Sequence, residues 1–220
     1  MRIIGYSSPG VGATVKSKLM VTSSQHSPQG HRWSDAELVG GHPALDFLNT
    51  VADKGKTRME EKLVQWHDVH TWAAAAGLLA PADLTRLRQQ PEWEGADELA
   101  ALHRFREDAY AAIVHVTSGV GDRRALDGLA AAIRDAIGRS TFMSFDGRFV
   151  WRPDVQTAWR WIDAVALAFE HLMRSEDLGR VRQCGRCTWF FVDRGRGAGR
   201  RWCDMRTCGN RAKAEAFRER

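Results

Sequence analysis

The sequence lacks any uninterrupted run of the ~20 apolar residues needed to cross a bilayer as a helix. Its first residues, MRIIGYSSPGVGATVKSKLMV, hold no continuous apolar core of the ~7–15 residues that a secretory signal uses. Both absences point to the cytoplasm. There the 4 cysteines are not expected to form disulfides, because the compartment is reducing. No internal repeat is visible. No His-Glu-x-x-His pair and no nucleophile elbow occurs. His67, His70, His103 and His115 are scattered over helical segments. No catalytic residues are therefore expected, and the chain is read as a non-enzyme.

Lysine is also scarce, with 6 against 26 arginines, and the charge is unevenly spread. Residues 180–220 carry 12 basic and 4 acidic side chains, a net +8, whereas the other 179 residues carry 20 and 23, a net −3; together they give the +5 of the whole chain. A basic tail on a slightly acidic body calls for an anionic partner at the tail. Arginine presents a planar fork of donors that matches phosphate oxygens and guanine edges.

What is present along the body reads as mostly helical. Residues 1–32, rich in Ser, Gly, Pro, Gln and Thr, are expected to be a flexible leader. A turn through Gly40 and Gly41 enters a helix with Pro43 at its first position. A second helix is expected over 60–76, on the apolar face Leu63, Trp66, Val69 and Ala73, ending at Gly77. A short third follows Pro81. Leu99, Leu102, Phe105, Ala109, Ile113 and Val116 step by three and four, which predicts a helix over 96–116. Leu126, Leu129, Ala130, Ile133 and Ile137 predict another. Asp146-Gly147 between two short apolar runs predicts a β-hairpin, because a type I′ turn needs positive φ at both central residues. Asp154 is expected to cap a last, strongly amphipathic helix from Val155 to Met173, central to the core. The expected class is mainly α: a helical domain over 33–178 with one β-hairpin, then a small module over 179–220.

That module contains all the cysteines: Cys184-x2-Cys187, a gap of 15, then Cys203-x4-Cys208. Such spacing lets each pair give two thiolates to one tetrahedral ion. Four ligands close the coordination sphere, which favours structural zinc over an iron–sulfur cluster or a redox dithiol. Trp189-Phe190-Phe191-Val192 and Arg201-Trp202 are expected to form a long-looped second hairpin joining the pairs. A helix after Cys208 would complete a treble-clef-like finger, with Zn²⁺ supplying stability that so small a piece lacks.

Cys208-Gly209-Asn210-Arg211 is the motif that names the CGNR zinc-finger proteins of bacteria, and this tail resembles them. Arg200-Arg201-Trp202-Cys203, Ala212-Lys213-Ala214 and Trp189-Phe190-Phe191-Val192-Asp193 are similar to that family too. The segment from Gly40 to Val51, GGHPALDFLNTV, resembles the opening of the ABATE domain that precedes this finger. The resemblance covers about residues 35–220. It implies a helical N-terminal domain, a C-terminal zinc finger and a role as a stress-linked transcription regulator.

The leading functional expectation is nucleic-acid binding by the tail, with duplex DNA preferred. Arg194, Arg196, Arg200 and Arg201 would meet phosphates, Arg211, Lys213 and Arg218 lie on the last helix, and Asn210 and Arg211 are candidates for base edges. Against this, Asn210 can simply cap the helix, Gly209 can permit a tight approach to the metal, and Arg211 can brace the body. Trp189, Phe190 and Phe191 could stack on unpaired RNA bases, but a hairpin mini-core is the more ordinary use. A homodimer would suit a palindromic site. Alternatively, the finger docks a protein, or the body holds a small ligand. His42, Asp46 and Asn49 share a helical face that could line a pocket, or form a buried network with an arginine such as Arg104 or Arg152.

Overall fold

The computed structural model describes residues 31–52, 56–89, 94–145, 147–157, 159–195 and 199–219. Residues 1–30 of the expected leader and Arg196 of the basic loop lie outside the described residues. Among the described residues seven α-helices carry the fold: α1 Pro43–Leu48, α2 Trp66–Ala75, α3 Pro81–Leu87, α4 Ala96–Ser118, α5 Arg124–Gly138, α6 Arg160–Arg174 and α7 Asn210–Arg218. Among the same residues, three two-stranded antiparallel ladders join them: β1 Val51–Ala52 with β2 Glu60–Glu61, β3 Ser140–Phe145 with β4 Arg148–Pro153, and β5 Val181–Gln183 with β6 Phe190–Val192.

The long helices follow their periodicity. α4 runs two residues beyond the expected end and stops at Gly119, whose φ of 68° is cheap only for glycine. α6 buries Trp161, Val165, Phe169 and Leu172 and packs against α5, α1 and β4. The β3–β4 hairpin forms where the turn signal stands, with Gly147 at φ 72°; its neighbour Asp146 lies outside the described residues.

Two helix starts differ from expectation. The expected 60–76 helix begins only at Trp66, because Asp68 accepts from the backbone N–H groups of Val64 and Gln65, both at 3.1 Å, and so caps the helix there. Glu60 and Glu61 instead pair with Ala52 and Val51. Glu61 spends its charge on Arg106 of α4, whose buried guanidinium also donates to Thr50 Oγ1 at 2.9 Å and Glu107 Oε1 at 2.9 Å. The last body helix begins at Arg160, not Val155. Asp154 Oδ1 accepts from Gln156 N at 2.8 Å, closing a local turn rather than capping a helix.

α1 lies at the centre: Ala44, Leu45, Phe47 and Leu48 are all fully buried. The tail's Val181, Phe190 and Val192 belong to the same hydrophobic core as α1, α4 and α6. Body and tail thus share one core, so folding the tail buries body side chains and the reverse.

Candidate metal centre and nucleic-acid interface

The expected hairpin in the tail forms with a different partner. Strand β6 pairs not with Arg201-Trp202 but with β5, in the register Val181↔Val192, Arg182↔Phe191 and Gln183↔Phe190. The Cys184–Cys187 pair sits at the tip between them. Cys184 N donates to Trp189 O at 2.8 Å, and Gly185 N reaches across to Arg201 O at 2.9 Å, which ties the first ligand pair to the segment carrying the second. Adjacent ladder strands need only a short tip, whereas joining 189–192 to 201–202 would close a longer loop. After Cys203, Asp204 Oδ1 accepts from Arg206 N and starts a π-turn over Met205–Gly209, which places Cys208 and then runs into α7.

All four sulfurs converge. Cys184, Cys187, Cys203 and Cys208 are buried, and their Sγ atoms lie within 4.8 Å of one another. Cys187 and Cys203 Sγ are 3.7 Å apart, close to the ~3.8 Å edge of a tetrahedron with Zn–S bonds of about 2.3 Å. No disulfide joins them. Hydrogen bonds from the Cys187 and Cys203 thiols pull Cys184 well below the usual thiol range. The same bonds to Cys184 push Cys187 and Cys203 up. With protons alone, a second thiolate here is opposed by the first; a divalent cation lets four coexist. The donor set therefore fits a closed, tetrahedral, structural ion, with no position left for a substrate.

Gly209 is a close-approach position rather than one that needs glycine's backbone freedom, and any side chain there would first displace the flexible, exposed Met205. A Cβ there would sit 2.4 Å from Met205 Sδ and 3.1 Å from Trp202 Cδ1. The close approach is thus to those side chains. Asn210 is not the cap: it is the first residue of α7, exposed, and its Nδ2 donates to Arg206 O at 3.2 Å.

The strand β6 uses its two faces differently. Phe190 and Val192 enter the body core, while Phe191 packs among the cysteines. Trp189 Nε1 donates to Val51 O at 2.7 Å. Phe190 and Phe191 are fully buried, which removes them as a base-stacking platform; Trp189 is half-buried.

The basic side chains divide into two groups. Arg194 is turned toward the body, donating to Asp177 Oδ2 at 2.5 Å and Gly41 O at 3.1 Å. The guanidinium of Arg200 lies 4.1 Å from the centroid of the Phe191 ring and that of Arg201 4.6 Å from that of Trp202, and both residues are exposed. Arg211, Lys213 and Arg218 are exposed on α7, and none makes an ion pair among the described residues. Arg211 does not brace the body. Helix α7 buries no residue, and its Glu215 is held by Arg186 of the knuckle, Nε to Oε2 at 3.2 Å. Arg186, which sequence reasoning did not single out, is thus the strut between the first ligand pair and α7; only the fold brings it beside Glu215.

His42, Asp46 and Asn49 do not line a pocket together. Asn49 Nδ2 donates to Phe190 O at 2.8 Å, and Phe190 N donates to Asn49 Oδ1 at 2.9 Å. Asp46 Oδ1 accepts from Gly40 N at 2.8 Å, and burial pushes its carboxyl up to about 7. His42 caps α1 through Nδ1 and shares a 2.9 Å hydrogen bond from its Nε2 to His171 Nδ1. Burial, then the neighbouring His171, push His42 down to about 4. The expected arginine partners are elsewhere: Arg152 pairs with Asp83, and Arg104 is exposed. A groove of about 950 Å³ runs between the β3–β4 hairpin, α3 and α6; neither Asp46 nor Asn49 touches it. Asn49 directly, and Asp46 by way of Gly40, whose O also accepts from Val192 N at 2.8 Å, dock the tail, whereas His42 joins α1 to α6.

Residues 41–176 match the family model of ABATE, described as "Putative stress-induced transcription regulator". The chain belongs to the ABATE family. Residues 180–220 match the CGNR zinc finger, so the ABATE domain is followed here by a finger of that kind. The comparison with curated proteins found no match. Among the described residues, no helix is long and apolar enough to cross a membrane.

Proposed function

We propose that this ABATE protein is a DNA-binding transcription regulator whose CGNR finger, built on a zinc ion held by Cys184, Cys187, Cys203 and Cys208, presents α7 to duplex DNA. The observation that carries this reading is α7 itself. It buries no residue, projects Arg211, Lys213 and Arg218 without ion-pair partners among the described residues, and stands on the four-sulfur base. Such a helix can enter a major groove, with Asn210 and Arg211 at base edges and Arg200 and Arg201 on flanking phosphates. Arg194, spent on Asp177, is left out of that surface. The body would act as the regulatory half and perform no catalysis. The protein would work in the cytoplasm, as a dimer if its target is a palindrome.

A second reading has one observation in its favour. Phe217 on α7 is 80% exposed, an apolar side chain better suited to a protein partner than to phosphate.

The test is fluorescence anisotropy with the zinc-loaded full chain and a random-sequence duplex over a salt series. Binding should weaken with a log–log slope of about −0.9 per phosphate contacted. Replacing Arg211, Lys213 and Arg218 together by alanine should reduce that slope by about 2–3. An absence of salt-dependent DNA binding would sink the proposal. Loss of a protein partner on Phe217→Ala, with DNA binding unchanged, would favour the second reading.

A further inference from the structure

Three indoles meet on the body, at the N-terminal end of α4. Trp66 opens α2, Trp161 lies in the first turn of α6, and Trp159 immediately precedes it. Together with Asp97 and Glu98 of the first turn of α4 they line a cavity of about 160 Å³. The remaining lining is aliphatic, from Ala101, Leu102 and Ile162; no basic side chain takes part.

Two of the indoles are held in place. The Trp66 and Trp161 ring centroids are 6.2 Å apart at an interplanar angle of 29°, and Trp66 Nε1 donates to Gly95 O at 3.1 Å. Trp161 is 3% exposed, is braced edge-on by His70 at 5.0 Å, and its Nε1 has no partner among the described residues. The third indole is the unusual one. Trp159 is 52% exposed, so the core does not account for it. Asp97 and Glu98 make no ion pair among the described residues. Their charge favours the positive end of α4, which explains the carboxylates but not an exposed tryptophan beside them.

The chemistry of this lining is selective. Aromatic faces attract cations, most strongly when the cation is poorly hydrated, and indole is the best of the rings for this purpose. Two carboxylates add full negative charge at short range. A primary ammonium or a guanidinium needs acceptors all round to replace its water; here the two carboxylates supply them on one side only, and the indole and aliphatic walls supply none. An ammonium whose hydrogens are all replaced by methyl groups needs none. The volume lies well below the ~300–1,000 Å³ of sites for drug-sized ligands, so it admits a headgroup and little more.

We propose that this cavity binds a small quaternary ammonium cation of the choline or tetramethylammonium type. Its occupancy bridges α2, α4 and α6, so the ligand stabilises the body by mass action. Nothing in the proposal depends on the finger or on DNA.

The test is isothermal titration calorimetry and thermal melting of the zinc-loaded full chain. The probes are choline, tetramethylammonium, glycine betaine, and 3,3-dimethyl-1-butanol, which copies the shape of choline without its charge. Choline and tetramethylammonium should bind with one site per chain and raise the melting temperature. The neutral alcohol should bind about tenfold more weakly or worse, and betaine, whose carboxylate would face Asp97 and Glu98, more weakly than choline. Trp159→Ala and Asp97→Asn should each weaken choline about tenfold, Trp159→Ala while leaving the ligand-free melting temperature near that of the wild type. No binding at millimolar choline overturns the proposal. Equal binding of the neutral alcohol, or undiminished binding by Trp159→Ala, overturns it as well.

Discussion

Asn49, at the end of α1, grips the backbone of Phe190, 141 residues later, by both of its polar groups: its Nδ2 donates to Phe190 O at 2.8 Å, and its Oδ1 accepts from Phe190 N at 2.9 Å. One amide side chain thereby satisfies both backbone groups of a strand residue, as a neighbouring strand would. All the atoms involved are buried, so water cannot substitute. The finger is in this sense an element of the body's own core, anchored at the position where the ABATE opening motif ends.

Asn49→Ala should therefore destabilise the whole chain by about 2–4 kcal/mol, because it leaves a buried N–H and a buried C=O without partners. Urea unfolding followed by far-UV circular dichroism checks this. A midpoint within error of the wild type would mean that the pairing contributes nothing net.

Metal removal should reach further than the finger. Phe190 and Val192 lie in the same core as α1 and α6, so releasing the four sulfurs frees β6 from one of its two anchors. Atomic absorption on the purified protein should give one zinc per chain. Both a strong chelator and Cys203→Ser should lower the melting temperature of the body as well as abolish the zinc, since breaking a structural site forfeits its binding free energy. A body that melts unchanged after chelation would show that the two parts are energetically independent.

Asp46 sets a pH dependence of definite sign. Burial raises its carboxyl from the ordinary 3.8 to about 7 in the folded protein, partly offset by the Gly40 N–H that favours the charged form. Between those values the folded state keeps a proton that the unfolded state has lost, so this group's contribution to stability falls as pH rises from about 4 to about 7 and is level above that. At about 1.4 kcal/mol per pH unit the full effect is on the order of 4 kcal/mol. Asp46→Asn keeps the acceptor for Gly40 N–H and removes the titration. Relative to the wild type, it should gain stability across that window and hold the gain at pH 8. His42, pushed down to about 4, contributes in the opposite sense, its neutral folded form favouring stability as pH rises toward 6.5. The comparison is therefore made between variant and wild type at each pH by chemical unfolding. A constant difference from pH 4 to 8 would refute the assignment.

Much of the architecture was legible in short-range patterns. The apolar stripe of α4 and that of α6 encode their helices within a few turns, and the Asp-Gly pair places the β3–β4 turn. Helix starts were less legible. Asp68 competes with the upstream pattern by binding two backbone N–H groups, so α2 begins six residues later than its apolar face predicts. The alternation in Trp189-Phe190-Phe191-Val192 was visible, but not that its two faces serve two different clusters. Nor could spacing tell that Asn49 would meet Phe190, or that Arg186 would meet Glu215 on α7.

The sequence by itself determined the sulfur site and the basic tail, because ligand spacing and charge clustering act over a few tens of residues and need no knowledge of the rest of the chain. Only the tertiary structure decided how that tail is mounted. Which arginine is spent on a body carboxylate, which indoles meet around a cavity, and which strand face enters which core all depend on contacts between segments far apart in the chain. Those contacts are selected by packing the whole core at once, and no local period records them.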